Sequence, residues 1–303
     1  MSTSVRLSAA DLADEQRAHD PRISVVIATC NRADSLLRTL QMLRKLPERP
    51  PVIVVDNASS DGAAAKVAQS FPEVRVLALP SNIGAAARNA GCREATTPYV
   101  AFCDDDSWWS PGSLRAAADK LDEHPRAALI NAKVLVGAGA DLDPTCAEMA
   151  SSALPARACK CKPIVGFLAA GAVVRRSAFL QAGGFDDRYG IGGEEELLAL
   201  DLAAAGWDLL YVENIVAHHH PSPAGRNDLL RQRRQLRNAL WTAWLRRSLR
   251  GALQHTQRLL RSARSPALAR GALYDALSGL HWVLRHRRPV PKSVESALRC
   301  LES

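Results

Sequence analysis

Tyr99-Val100-Ala101-Phe102-Cys103-Asp104-Asp105-Asp106 is a short apolar run that stops in three carboxylates. Five consecutive apolar residues without polar alternation are what a strand buried on both faces requires. The run has three counterparts upstream. Ile23-Ser24-Val25-Val26-Ile27-Ala28 ends at Thr29-Cys30-Asn31-Arg32, Val52-Ile53-Val54-Val55 ends at Asp56-Asn57, and Val74 to Leu79 ends at Pro80-Ser81-Asn82-Ile83-Gly84. Between them lie helical stretches at 34–46, 63–70 and 85–95, the first broken by Pro47, Pro50 and Pro51. Strands alternating with helices predict an α/β fold with a mostly parallel sheet covered on both faces. Ligands of such sheets gather at the carboxyl ends of the strands. That is where Thr29, Arg32, Asp56, Asn82 and the three aspartates fall.

Downstream, Ser110-Pro111-Gly112 starts a helix over 113–123, and the Gly-, Ala- and Pro-rich stretch 137–163 reads as loop. A strand is expected over Phe167–Arg175, a helical turn over Arg176–Leu180, and a bend at Gly183-Gly184-Phe185-Asp186. Glu194-Glu195-Glu196 opens a helix that runs to Ala205 and is capped by Gly206. A last strand near Tyr211–Val216 ends at His218-His219-His220-Pro221-Ser222. From Asp228 onward Arg, Leu and Ala dominate, which predicts two or three amphipathic helices.

Thirty-nine Lys+Arg against 31 Asp+Glu give the 303 residues a formal +8. The total hides a division. Residues 226–288 hold 15 arginines and 2 acids, a net +13, whereas residues 1–225 hold 22 bases and 27 acids, a net −5. A hydrophobic content of 47% excludes wholesale disorder beyond the polar leader 1–20. No charge-free run reaches the 18 or so apolar residues of a spanning helix, and the leader lacks the apolar centre of a signal peptide. Seven cysteines, an odd number in a chain of this size, fit a reducing cytoplasm. Cys146, Cys159 and Cys161 match no usual zinc spacing.

The carboxylates point to chemistry. Alternate residues of an extended chain face the same way, so Asp104 and Asp106 turn toward one ligand. Paired hard oxygens suit Mg²⁺ or Mn²⁺ beside a diphosphate, and a solvated acidic turn is the plainer alternative. Arg88 is placed to meet a phosphate or a base. No GxxxxGK[ST] and no GxGxxG after the first strand is present, which excludes the usual NTPase and dinucleotide cradles. Glu194–Glu196 either satisfy a helix N-terminus or supply a general base. Trp108 and Trp109 either form a sugar platform or fill the core.

In order, the blocks 23–32, 52–61, 82–91, 101–107, 183–186, 194–196 and 218–222 resemble those of the family 2 glycosyltransferases, inverting enzymes that use nucleotide sugars. The resemblance spans about residues 21–240. It implies a GT-A fold, a Rossmann-like, mostly parallel sheet over 21–225, with a basic helical extension over 226–303. It also implies site roles. Asp56 matches the aspartate at the nucleoside base, with Thr29 and Arg32 beside it and Asn82 and Arg88 near the base and diphosphate. Asp104 and Asp106 match the DxD pair, with Asp105 between them on the donor side, Asp106 on the metal, and His219 or His218 as the family's histidine. Glu195 takes the place of the catalytic base, with Glu194 as the alternative. Leu197 and Asp201 stand where the family has an Asp and an Arg. The implied reaction is metal-dependent transfer of one sugar from a nucleotide-diphosphate donor to a hydroxyl of a glycan or lipid-linked acceptor. The implied setting is the cytoplasm, with peripheral contact on the inner face of the membrane through the basic helices and no nucleic-acid partner. A nucleotidyltransferase-like enzyme on a related scaffold and a noncatalytic nucleotide-sugar-binding protein are the competing readings.

Overall fold

The computed structural model describes residues 20, 22–155, 161–221 and 228–302. The leader up to residue 19, Cys159 and Ser222 lie outside the described residues. The first half alternates as the apolar runs require: β1 (Ile23–Thr29), α1 (Ala33–Arg44), β2 (Val52–Asp56), α2 (Ala63–Ser70), β3 (Arg75–Ala78), α3 (Ala87–Glu94) and β4 (Tyr99–Asp104). These four strands are parallel neighbours in the order β3-β2-β1-β4. Side chains alternate along β1. Ile23, Val25 and Ile27 pack with Leu36, Leu40 and Leu43 of α1 on one face, and Val26 joins Phe102 and Ala87 on the other.

Beyond β4 the sheet is mixed. It continues through β5 (Ser107–Trp109), α4 (Ser113–Glu123), β6 (Ala127–Val136), β7 (Asp141–Leu142), α5 (Pro144–Ala150), β8 (Lys162–Pro163), β9 (Ala172–Arg175), α6 (Arg176–Gln181), α7 (Glu194–Ala204) and β10 (Asp208–His219). The strand order completes as β4-β9-β6-β10-β5. β9 is antiparallel to both β4 and β6, β6 and β10 are parallel, and β5 is antiparallel to β10. The sheet is thus parallel in its first half and mixed in its second.

Three sequence expectations are corrected here. The segment 137–163 is not all loop. It carries β7, β8 and a helix that Asp143 caps by accepting from Thr145 N at 2.8 Å, with Pro144 at its first position. The strand expected over Phe167–Arg175 shortens to β9, because Ala169–Gly171 form a 3₁₀ turn. A side chain at Gly171 would put its Cβ 2.5 Å from Val134. The two or three helices expected after 228 are five: α8 (Asp228–Arg246), α9 (Leu249–Ser262), α10 (Pro266–Ser278), α11 (Leu280–His286) and α12 (Lys292–Glu302). Ser248 and Ser265 accept from the backbone N–H groups of Gly251 and Leu268 and start α9 and α10, and Gly279 separates α10 from α11.

The C-terminal helices dock against α7 and the turn before it. Tyr189, Leu197, Trp241, Leu245 and Val283 form a small third core, with Trp241 and Trp282 edge-to-face at 5.4 Å. Arg233 grips Asp275 through two bonds of 2.7 and 2.6 Å and ties α8 to α10.

Gly91 tests the packing of α3 on the sheet. A Cβ there would lie 2.4 Å from Val26 Cγ1 and 3.2 Å from Val55 Cγ2. Gly91→Ala is expected to lower unfolding stability by about 1–3 kcal/mol, the usual cost of overpacking. The check is a denaturant titration in which the midpoint falls and the slope is unchanged.

Candidate active site

The chain turns immediately after β4 and re-enters as β5, so Asp104, Asp105 and Asp106 lie on a tight corner rather than an extended strand. Asp104 and Asp106 still meet. With His219 they form a group whose ligand atoms lie within 4.8 Å of one another. The third member arrives through β10, whose pairing with β6 shifts register between Val212 and Val216, an irregularity that bends the strand. Its end then pairs with β5, with His219 opposite Ser107 and His218 opposite Trp108. His219 Nε2 lies 3.2 Å from Asp106 Oδ1. His218 instead bonds Ser110 at 2.8 Å and is pulled below the usual imidazole range by burial and by His220. His220 packs on Trp108, ring centroids 4.6 Å apart.

Two arginines serve the three aspartates. Arg32 bridges two of them, Nε at 2.8 Å from Asp105 Oδ1 and Nη2 at 2.6 Å from Asp106 Oδ2. Arg88 pairs with Asp104. Asp105, 6% exposed, also accepts from the Thr29 hydroxyl at 2.9 Å, and burial pushes its carboxyl up to about 7 against the pull of Arg32. Thr29 and Asp105 therefore engage each other beside the Asp104–Asp106 pair. Trp109 is 1% exposed and belongs to the core, which removes it from the sugar platform; Trp108 is half-buried.

At the ends of β2 and β3, Asp56 is buried and accepts from Ser59 N at 3.0 Å. Asn82 is exposed and closes its own turn, accepting from Gly84 N at 2.9 Å and donating to Cys30 Sγ at 3.3 Å. Arg88 is buried, and its Nε has no hydrogen-bond partner among the described residues. That guanidinium is within electrostatic reach of Asp104, Glu194 and Glu195 together.

Glu194 and Glu195 open α7 behind a left-handed Gly193 (φ +92°). Glu194 accepts from Gly192 N, and Glu195 Oε1 accepts from Ala169 N at 3.2 Å. Burial and the charge of Glu194 push Glu195 up to about 8, against Arg88 and the Ala169 bond. Glu194 is raised as well, chiefly by burial. Asp201 forms a two-pronged ion pair with Arg246 of α8, whose Nη2 is 3.0 Å from Oδ2, and Leu197 faces the third core. The charge that the family pattern carries at this point of the helix is thus inverted and met from the C-terminal region. Sequence reasoning passed over Asn57, which is buried and fixes the Ile83–Gly84 turn through bonds of 2.9 and 3.0 Å. Its place directly after Asp56 at a strand end was the available signal. It also passed over Asn238 of α8, for which nothing in the local sequence gave a signal.

The family model described as "Glycosyl transferase family 2" matches residues 24–181, half of the chain. The chain belongs to glycosyltransferase family 2. The match includes Asp56, Arg88, Asp104 and Asp106 and stops short of Glu194, Glu195 and His219. A Mycobacterium tuberculosis N-acetylglucosaminyl-diphospho-decaprenol L-rhamnosyltransferase is 30% identical over 241 residues, 68% of this chain and 78% of the relative. The succinoglycan biosynthesis protein ExoO of Rhizobium meliloti is 35% identical over 105 residues, 34% of this chain and 30% of the relative. Among solved structures, a mannosyltransferase from Pyrobaculum calidifontis in complex with GDP-Man and Mn²⁺ superposes with a TM-score of 0.56 at 19% identity, covering 94% of this chain and 86% of that one. GalNAc-T7 with UDP, GalNAc and Mn²⁺ gives 0.60 at 15% identity over 81% and 52%. The fold is the GT-A fold, and this glycosyltransferase carries a helical C-terminal region on it.

Proposed function

We propose that this glycosyltransferase moves a monosaccharide from a nucleoside-diphosphate sugar to a hydroxyl of a lipid-linked or envelope-glycan acceptor, with inversion. The observation that carries the reading is buried Arg88, which pairs with Asp104 and lies within electrostatic reach of Glu194 and Glu195 as well. The donor end is built by Asp56 for the base, Asp104 for the ribose and Arg88, whose partnerless Nε suits a phosphate oxygen. Half-buried Trp108, packed against His218 and His220 two residues from Asp106, is the aromatic side chain placed nearest the sugar.

Glu195 takes the proton of the acceptor hydroxyl, with Glu194 the neighbouring alternative. The acceptor oxygen forms the new bond to the anomeric carbon as the carbon–oxygen bond to the diphosphate breaks, and the electron pair leaves with the nucleoside diphosphate. One displacement with no covalent enzyme intermediate inverts the anomeric centre. Arg88 stabilises the charge that develops on the departing group. Asp104, Asp106 and His219, two hard carboxylates and one imidazole within 4.8 Å of one another, are a suitable donor set for Mg²⁺ or Mn²⁺. Such an ion, when bound, supplies further charge neutralisation at the diphosphate.

The rhamnosyltransferase relative is named for a diphospho-decaprenol acceptor, which supports a lipid-linked acceptor here. No helix among the described residues is long and apolar enough to cross a membrane. Leu273, Leu277, Leu280 and Leu284 follow one another at spacings of four, three and four along α10 and α11, and all are exposed. Exposed Arg270, Arg285 and Arg288 flank them. Apolar side chains among arginines complement an anionic bilayer surface and repel a second copy of themselves, so we assign this stripe to peripheral docking on the inner face of the membrane.

Four results check the reading. Glu195→Gln is expected to lower kcat by about 10²–10⁴ while donor affinity by calorimetry stays within a few-fold. Because burial raises Glu195 to about 8, the base is protonated at lower pH. In the intact enzyme kcat/KM should rise with pH, about tenfold per unit below that value, and level above it. For the metal, Asp106→Asn should weaken Mn²⁺ binding, followed by electron paramagnetic resonance, by at least the roughly 10–100-fold that loss of an outer-shell partner costs. For the membrane, the protein should float with liposomes containing anionic lipid and remain behind with neutral ones, and Leu277→Glu with Leu284→Glu should abolish flotation. Equal flotation by that double variant would remove the stripe from the docking surface.

A further inference from the structure

Asn238 lies on α8, in the basic region, and it is completely buried. Its Nδ2 donates to the carbonyls of Tyr189 at 2.9 Å and Gly192 at 2.5 Å. Its Oδ1 accepts from Arg237, Nε at 3.0 Å and Nη2 at 2.6 Å. Arginine only donates and a carbonyl only accepts, so the amide has one orientation that satisfies all four contacts. Arg237 is itself fixed, its guanidinium 4.2 Å from the Trp241 ring centroid and its Nη2 3.2 Å from the Tyr189 carbonyl.

What Asn238 holds is a strap of glycines. Gly190, Gly192 and Gly193 have φ of +68°, +102° and +92°, values that side-chain-bearing residues rarely adopt. Glycine reaches them freely and also leaves them freely, so the strap depends on outside contacts for its shape. One set comes from α8: a Cβ on Gly192 would lie 2.6 Å from Gln235, and one on Gly193 would lie 3.2 Å from Asn238 Cβ. The other comes from the donor end. Ala85 N donates to the Gly190 carbonyl at 2.8 Å, and a Cβ on Gly84 would stand 2.4 Å from that same oxygen. Gly84 in turn is held by Asn57, next to Asp56. The strap ends where Gly192 N donates to Glu194.

We propose that Asn238 is a positioning residue for sugar transfer: by clamping the Gly190–Gly193 strap between α8 and the Gly84 turn, it sets Glu194 and Glu195 in register with the nucleotide end of the cleft. This role rests on the reading of Glu195 as the base. It gives the first C-terminal helix a part in the chemistry without contact with substrate. A base displaced by about 1 Å costs on the order of 10²-fold in rate.

The test uses the full chain with Asn238→Ala and Asn238→Asp, the second keeping the size and the oxygen toward Arg237 while losing both N–H donors. Turnover is read as nucleoside diphosphate released from GDP-mannose and from dTDP-rhamnose, with Mn²⁺ present. Both variants are expected to lose about 10²-fold in kcat with donor KM within about threefold. Hydrogen exchange should quicken in the peptide covering 189–196. In Asn238→Ala the acid limb of the kcat/KM profile should move to lower pH as water reaches Glu195. The charged groups facing Glu195, which are Glu194 on its own helix, Arg88 from α3 and Asp104 from β4, are unchanged in that variant.

Wild-type kcat in both variants overturns the proposal. So does a loss of turnover that only tracks the loss of folded protein, with the acid limb unmoved. If the Asn238 variants do not fold, Arg237→Lys decides, because it loosens the grip on Asn238 Oδ1 while keeping the charge: a lower kcat at constant KM with faster exchange over 189–196 supports the clamp, and unchanged kcat overturns it. Glu195→Gln run alongside separates the two claims. If that variant still turns over, the base assignment falls and this role with it. If it is inactive beside fully active Asn238 variants, only the clamp falls.

Discussion

Three adjacent carboxylates at the mouth of a buried sheet are tenable only if cations meet them. Two of the three are nearly inaccessible, Asp105 and Asp106 each being 6% exposed. Desolvated negative charges so close together would otherwise protonate or force the corner open. The counter-charges arrive from two separate elements, Arg32 from the loop after β1 and Arg88 from α3, and His219 Nε2 from the end of β10 lies 3.2 Å from Asp106 Oδ1. The corner therefore requires the first strand, the third helix and the last strand to converge there. Asp104 is then the one of the three left partly exposed, while Asp105 is engaged by Thr29 and Asp106 by Arg32 and His219.

The same constraint explains which parts of the fold and the site were legible in the chain. β2 and β4 are unbroken apolar runs and β1 one interrupted only by Ser24, all finishing in polar residues, and burial on both faces leaves no other arrangement for them. β6 was not legible. Asn131 and Lys133 interrupt its run, yet Asn131 is completely buried, because its side chain accepts from Leu168 N at 2.7 Å and donates to the Ala132 carbonyl at 2.8 Å. A polar residue satisfied in the core by a segment some 40 positions away is invisible to periodicity. The choice between His218 and His219 was similarly out of reach, since it depends on the register shift in β10. Alternation along a strand identifies faces only while the pairing is regular. The helix at Pro144–Ala150 is a different case. Its Asp143-Pro144 start is a readable cap signal, obscured by the Gly- and Ala-rich composition around it.

The net +13 of residues 226–288 invites a reading as one adhesive surface. Side-chain pairing divides it. Arg233 is engaged with Asp275, Arg246 with Asp201, and Arg247, 3% exposed, with Glu295 and Glu302. Arg237 serves Asn238, and Arg287 caps the carbonyls of Trp244 and Arg247. These arginines work as donors with fixed geometry, the property that distinguishes guanidinium from a simple positive charge. Among the described residues, Arg231, Arg234, Arg250, Arg258, Arg261, Arg264, Arg270, Arg285 and Arg288 are exposed, Arg258 also reaching Glu302. The segment thus has two uses of one residue type. Arg246 and Arg237 tie α7 and the turn before it to the C-terminal region, Arg233, Arg247 and Arg287 tie the C-terminal helices to one another, and the exposed ones set the charge of its surface. A truncation that removed the tail to test the surface would remove those ties as well. The two roles are separable only by point substitutions on the exposed stripe.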